Sequence, residues 1–370
     1  MYCPLSLFSP SSAAPCPTPF PAWLANAGRR WLAALLLGLC LAGCGKPPLQ
    51  QQEAYVFGTR VEVLVADADP DKARAAIAIV LREFDRLHRT YHAWQTSELT
   101  ALNDAIAAGH SLEVSPEMAG YIQEAQTLSR QGGGLFDPGI GRLVALWGFH
   151  NDEFKAQLPP PEAITAWLAA HPSIADLKVE GNRVSSKNRQ VALDFGGYLK
   201  GVALDRAAEL LHQQGIHNAL INIGGNLLAL GDKQGRKWKV GIQHPRQSGP
   251  LALVELEDGE AIGTSGDYQR YFELDGQRFI HLLDPRTGRP VNHTEAVTVL
   301  ILKGPKAGML SDASSKPIFV SGPEGWRAAA AKLGVDQVLR VDSQGKISVT
   351  QALYKRLEFV GDKPAMDVVP

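Results

Sequence analysis

Asp194-Phe195-Gly196-Gly197-Tyr198-Leu199-Lys200-Gly201 joins an apolar extended run, residues 191–195, to a helical one, residues 202–214, which Gly215 stops. The paired glycines carry no Cβ, so backbone amides at this junction can approach a ligand closely. The N-terminus of the following helix favours an anion at the same place, and Lys200 adds a positive charge for it. The octapeptide is neither a Walker loop nor a G-x-G-x-x-G fingerprint. It marks an anion or cofactor site without naming the ligand.

Four further glycine- and aspartate-rich turns flank it. Upstream, Gly132-Gly133-Gly134-Leu135-Phe136-Asp137-Pro138 ends a helix that follows Pro116 and sets one carboxylate on a tight loop. Downstream, Asn222-Ile223-Gly224-Gly225-Asn226 reads as strand–turn–strand. Thr264-Ser265-Gly266-Asp267-Tyr268 reads as a polar turn, and His281-Leu282-Leu283-Asp284-Pro285-Arg286-Thr287-Gly288 as another. Each has an ordinary explanation when taken singly, since glycine pairs make turns and aspartates cap them.

Around these turns helices and strands mix. Val61, Val63 and Val65 alternate in a first strand, and Asp69-Pro70-Asp71 opens a helix with Ile77, Val80, Leu81, Phe84 and Leu87 on one face. Strands follow over residues 219–223, 227–230, 237–242, 251–256 and 296–302, with a hairpin around Asp275-Gly276. A last helix runs from Pro323 to Gly334. The pattern is α+β, with mixed, largely antiparallel sheets and helices. It reads as one domain over residues 55–360, in which Leu158-Pro159-Pro160-Pro161 marks an inserted loop.

The 37 Lys and Arg residues against 38 Asp and Glu leave a net charge of −1, without the basic face of a nucleic-acid binder. Cys3, Cys16, Cys40 and Cys44 all precede the body of the chain, which excludes thiolate metal sites, disulfides and cysteine nucleophiles from the domain. Arg29-Arg30 followed by the apolar residues 31–41 reads as an export signal, too short to span a bilayer. Leu41-Ala42-Gly43-Cys44 matches a bacterial lipobox, so residues 1–43 read as a signal peptide and Cys44 as the lipidated first mature residue. Residues 44–54 read as lipid attachment and polar tether. The expected location is the cell envelope, anchored in the inner or outer membrane and facing the periplasm.

In chain order the sequence carries Phe57-Gly58-Thr59, Ser97-Glu98-Leu99 with Leu102-Asn103, Leu135-Phe136-Asp137-Pro138 with Gly141, and Leu146-Trp147-Gly148-Phe149. Then come the Asp194 loop with Lys200-Gly201, the Asn222 and Thr264 turns, and Asp284-Pro285-Arg286-Thr287-Gly288. This succession resembles the ApbE family of FAD:protein FMN transferases. The resemblance implies an ApbE-like, T-fold-like domain that binds FAD through Phe57, Trp94 (with Tyr91 competing), Leu135, Phe136, Asp137, Asp194, Lys200 and His281. It also implies a magnesium ion held by the Gly197 carbonyl, Asp312 and a hydroxyl. The family has threonine four residues after the aspartate, whereas this chain has Lys316, which leaves Ser315 as the candidate hydroxyl.

The implied reaction moves FMN from FAD to a Thr or Ser hydroxyl of a target protein and releases AMP. Magnesium, Lys200 and Lys316 supply charge, and His281, with Asp284 sharing the role, accepts the proton. Water in place of the hydroxyl would make the chain an FAD hydrolase, and absence of turnover would make it a flavin-binding accessory lipoprotein. The implied partners are FAD and membrane respiratory flavoprotein subunits.

Overall fold

A computed structural model describes residues 48–66, 68–151 and 153–370. The export signal, Cys44 and the first residues of the expected tether lie outside these. Nine strands form one sheet whose spatial order is its chain order. They are β1 (Gln50–Val56), β2 (Thr59–Val65), β3 (Ala219–Ile223), β4 (Asn226–Leu230), β5 (Ala261–Gly266), β6 (Thr294–Ile301), β7 (Gln337–Asp342), β8 (Ile347–Thr350) and β9 (Met366–Val369). All neighbours are antiparallel except β8 and β9. Gly224 and Gly225, at φ 58° and 91°, make the tight turn between β3 and β4. Two consecutive left-handed residues give the turn whose twist matches the flanking strands.

Three expectations change. Residues 50–54 are not tether: they belong to β1, paired with β2 from Gln50↔Val65 to Val56↔Thr59. The domain also runs past residue 360, because β9 adds to β8. Thr264-Ser265-Gly266 is no turn but the end of β5, inside the sheet.

Helices cover one face of the sheet: α1 (Pro70–Thr90), α2 (Glu98–Ala108), α3 (Pro116–Gln131), α4 (Leu199–Gln213) and α5 (Ala307–Lys332). Val61, Val63, Ile221 and Ile223 point into this layer, against Ile77, Val80 and Phe84 of α1 and Val202, Ala203 and Leu211 of α4. The alternate residues, Leu220, Ala229, Ile262 and Leu300, pack instead on Trp238, Val240 and Val254 of a small three-stranded sheet. Period-two alternation thus feeds two cores. Gly322, at φ 69° and ψ −169°, breaks α5, and Pro323 starts its second half, which is the expected last helix. Among the described residues no helix is long and apolar enough to cross a membrane.

Candidate active site

The Asp194 loop is held from two sides. Asn103 of α2 acts as a strand neighbour: its Nδ2 donates to the Leu193 carbonyl at 2.9 Å, and its Oδ1 accepts from the Leu193 amide at 2.7 Å. On the other side Gly141 N–H donates to Ala192 O at 2.7 Å and Asp194 N–H to Pro138 O at 2.8 Å. The expected strand over 191–195 is therefore extended chain clamped by a side chain and a loop, with only a single bridge, Ile140↔Ala192. The Ser97-Glu98 motif orients that clamp: Ser97 caps α2 with Thr100 in a reciprocal capping box, and Glu98 accepts from the Ser115 amide at 2.5 Å. Asn103→Leu is expected to cost about 1–3 kcal/mol, because two backbone groups lose their partners. Urea denaturation measures it, and an unchanged midpoint would show the clamp to be idle.

An aromatic ladder leads to Asp194. Phe57, at φ 57° in the β1–β2 turn, meets Phe84 and His88 at 6.0 and 5.7 Å between ring centres. His88 meets His92 at 4.9 Å, His92 meets Trp94 at 4.6 Å, and Trp94 stacks on His150 at 5.2 Å and 27°. His150 Nε2 lies 3.1 Å from Asp194 Oδ2, and Asp194 Oδ1 accepts from the Gly196 amide at 2.7 Å. Burial pushes the Asp194 carboxyl upward, but His150 and the Gly196 amide outweigh it and hold the group below the usual carboxylate range. The Arg270 guanidinium sits 5.7 Å over the Trp94 ring and donates to Phe149 O at 2.8 Å. The competitor Tyr91 is buried, its hydroxyl spent on Glu117 at 2.6 Å.

Beyond Asp194 lies a cluster of charge where α4 crosses α5. Both helices have glycine at the contact: a Cβ on Gly201 would lie 2.6 Å from Gly308 O and Met309 Cα. Asp205 of α4 accepts from the Gly308 and Met309 amides, both at 2.8 Å, and so caps α5 from outside. This crossing sets Asp312, fully buried, against the first turn of α4, where its Oδ2 accepts from Gly201 N–H at 3.1 Å. Burial raises the Asp312 carboxyl, yet the Lys316 and Lys200 charges prevail and keep it low. Burial pushes the Lys200 ammonium below its usual range, helped by Lys316 and Arg270 and opposed by Asp312.

His281 faces the same charges. Burial, then the Arg270 charge, push its imidazole down to about 3. Its Nδ1 lies 3.1 Å from the Arg270 carbonyl, which can only accept, so Nδ1 carries the proton and Nε2 keeps its lone pair.

The remaining expected residues make contacts within the scaffold. Asp137 accepts from the Gly139 and Ile174 amides at 2.7 and 2.8 Å and from Ser173 Oγ at 2.5 Å, which ties its loop together. Phe136 is buried and faces Tyr198, while Leu135 packs on the core beside α5. Asp284 does not stand ready as a base: Arg286 takes both its oxygens, with Nη2 at 2.8 Å from Oδ2. Ser315 turns away from the Asp312 carboxylate, its Oγ 2.8 Å from Ser265 Oγ and 2.8 Å from the Asp312 carbonyl. His88, His92, His150 and Arg270 escape sequence reasoning. Only the position of His150 directly after the Leu146–Phe149 motif offered a signal.

The magnesium ion implied by the resemblance does not fit the residues present. The Lys316 stem packs on Gly197, where a Cβ would lie 3.3 Å from Lys316 Cε. Its ammonium donates to the Asp312 carbonyl at 2.8 Å and forms an ion pair with Asp312 Oδ1. Among the described residues no group of three or more His, Cys, Asp or Glu is placed to hold a metal ion.

An aromatic wall leading to a cluster of fixed cations suits a ligand with ring systems and a multiply charged anionic centre, and so defines an enzyme of the nucleotide-cofactor class on an α+β scaffold. The ApbE family model matches residues 57–339, and the chain belongs to that family. It is 42% identical over 344 residues to the FAD:protein FMN transferase of Rhodobacter capsulatus, covering 90% of this chain and 64% of that protein. With the FAD:protein FMN transferase of Vibrio cholerae it shares 33% identity over 82% of this chain and 90% of the relative. Among solved structures, the ApbE protein of Thermotoga maritima superposes with a TM-score of 0.76 at 29% identity, covering 84% of this chain and 99% of that one. The flavin transferase ApbE of Vibrio cholerae follows at 0.71 and 27%, covering 85% and 100%.

Proposed function

We propose that FAD lies with a ring system against the Trp94–His150 wall and its diphosphate at the N-terminus of α4, and that an acceptor hydroxyl attacks the FMN phosphorus. The acceptor oxygen–phosphorus bond forms as the bridging phosphorus–oxygen bond breaks, AMP leaves with the bond's electron pair, and the hydroxyl proton passes to His281 Nε2. The observation that carries this reading is His281 itself, set among the Lys200, Arg270 and Lys316 charges with Nδ1 spent on the Arg270 carbonyl and Nε2 left with its lone pair. Fixed cations stabilise the charge that develops on the diphosphate oxygens and the leaving AMP. The neutral imidazole is a weak base in the free protein, and a bound diphosphate offsets its cationic neighbours and raises its basicity. Phe57 and Trp94 contribute aromatic surface, and Asp194 fixes His150.

Transfer is tested with FAD and a protein bearing a flavinylation sequence, by covalent flavin fluorescence after denaturing electrophoresis and by AMP release. AMP release that does not depend on the acceptor would favour hydrolysis. For His281→Gln, kcat is expected to fall by about 100-fold or more. Because the folded imidazole titrates near 3 and the unfolded one near 6.5, kcat/KM of the wild type is expected to show no break near pH 6.5. A limb there that vanishes in His281→Gln would contradict the assignment. The same depression lets the unfolded chain take the proton first, so His281 withdraws stability as pH falls below 6.5.

The reading extends to location. The basic pair Arg29-Arg30, the apolar run after it and Cys44 support an exported protein, lipid-anchored in the cell envelope and facing the periplasm, with membrane respiratory flavoproteins as acceptors. Labelling with radioactive palmitate, lost in Cys44→Ala, tests the anchor.

A further inference from the structure

We propose that the Lys316 ammonium takes the place of the divalent cation in this chain, so that FMN transfer runs here without a metal ion. The inference rests on the transferase reading above and concerns how the same site meets the charge of the diphosphate.

Three observations carry it. Lys316 occupies the space where the resemblance puts the ion, with its terminal methylene against Gly197 and its ammonium on Asp312. Both oxygens of the Asp312 carboxylate are already engaged, Oδ1 by Lys316 and Oδ2 by the Gly201 amide. The hydroxyl that the resemblance offers to a metal site, Ser315 Oγ, is turned to Ser265. A magnesium ion would have to displace a paired lysine from a fully buried carboxylate, leaving an ammonium beside a dication in a poorly screened site.

The lysine can do the work itself. An ammonium has three N–H donors. Here two meet the Asp312 carbonyl and Oδ1, leaving one for a phosphate oxygen. Asp312 aims that donor in the way a metal ligand aims an ion, and Lys200 and Arg270 add charge nearby. No atom of the reaction changes its account: the acceptor oxygen gains phosphorus, AMP takes the bridging oxygen, and the proton goes to His281. Only the source of positive charge differs.

The experiment uses the full chain, freed of metal by EDTA and a chelating resin, with FAD and an acceptor protein. Wild-type AMP release is expected to stay within about twofold with and without EDTA, and the Mn2+ spectrum in electron paramagnetic resonance to remain that of the free ion. Lys316→Thr, which restores the family residue, is expected to lose about 100-fold in EDTA, to recover with Mg2+, and to bind one Mn2+ per chain. Lys316→Met is expected to lose the same activity without recovery. Wild-type activity abolished by EDTA together with one bound Mn2+ would overturn the inference while leaving the transferase reading in place. AMP release absent under every condition, with FAD bound, would sink the transferase reading instead. The Mn2+ contrast between wild type and Lys316→Thr would then decide the cation question alone.

Discussion

Gly201→Ala is expected to abolish FMN transfer and to cost about 2–3 kcal/mol of stability, because an added methyl group meets α5 at its backbone and at Asp312 Cβ. The new Cβ would lie 2.6 Å from Gly308 O, 2.6 Å from Met309 Cα and 2.8 Å from Asp312 Cβ. None of these is the free end of a flexible side chain, so α4 and α5 have to part. Parting them breaks the Gly201–Asp312 hydrogen bond and moves Lys200 and Lys316 apart from each other. Urea denaturation and the transfer assay read the two effects. Gly120→Ala is the control: its Cβ would meet nothing within 4 Å on the exposed side of α3, and about 0.5–1 kcal/mol of stabilisation is expected there. If Gly201→Ala behaved like Gly120→Ala, the crossing would not organise the site.

Lys200→Met should separate activity from stability. The substitution keeps an apolar stem and removes a half-buried charge that makes no direct ion pair among the described residues. Asp312 stays paired with Lys316, so no carboxylate is left alone. Transfer is expected to fall about 100-fold or more, through loss of charge at the diphosphate, while the unfolding midpoint stays or rises. A fall in both would mean that Lys200 holds the fold together and does not act on the diphosphate.

Much of this site was legible in the chain because its parts sit on turns. Phe57-Gly58 and Gly224-Gly225 turn through left-handed backbone, and Gly201 after Asp194 meets the α5 chain too closely for a side chain; such needs leave a local signature. The misses have a common cause in tertiary structure. Thr264-Ser265-Gly266 looks like a turn, yet it is central strand, because α5 lies so close that a Cβ at Gly263 would sit 2.4 Å from Ser311 O. Small residues there answer to the helix and not to the local backbone. Residues 50–53 read as tether because an edge strand with an exposed, polar face carries no apolar alternation. His150 and Arg270 reach the site from separate loops, and the sequence holds no spacing that relates them to Trp94. The Ser315 reading failed for a simpler reason: on a helix one residue changes the direction of a side chain by about 100°, and the position facing Gly197 belongs to Lys316.

The order of the large sheet has a kinetic side. Val65 pairs with Ala219, so the chain leaves the sheet after β2 and returns roughly 150 residues later, an excursion whose closure costs about 4–5 kcal/mol of entropy. That excursion carries Trp94, Asn103, His150 and Asp194, and no β2–β3 ladder can form until its ends meet. Pairing of β2 with β3 is therefore coupled to the ordering of these loops, while β3 to β9 can pair without it. Substitutions that loosen the loops should slow the docking of β1 and β2 onto the rest of the sheet, read as a slower refolding phase.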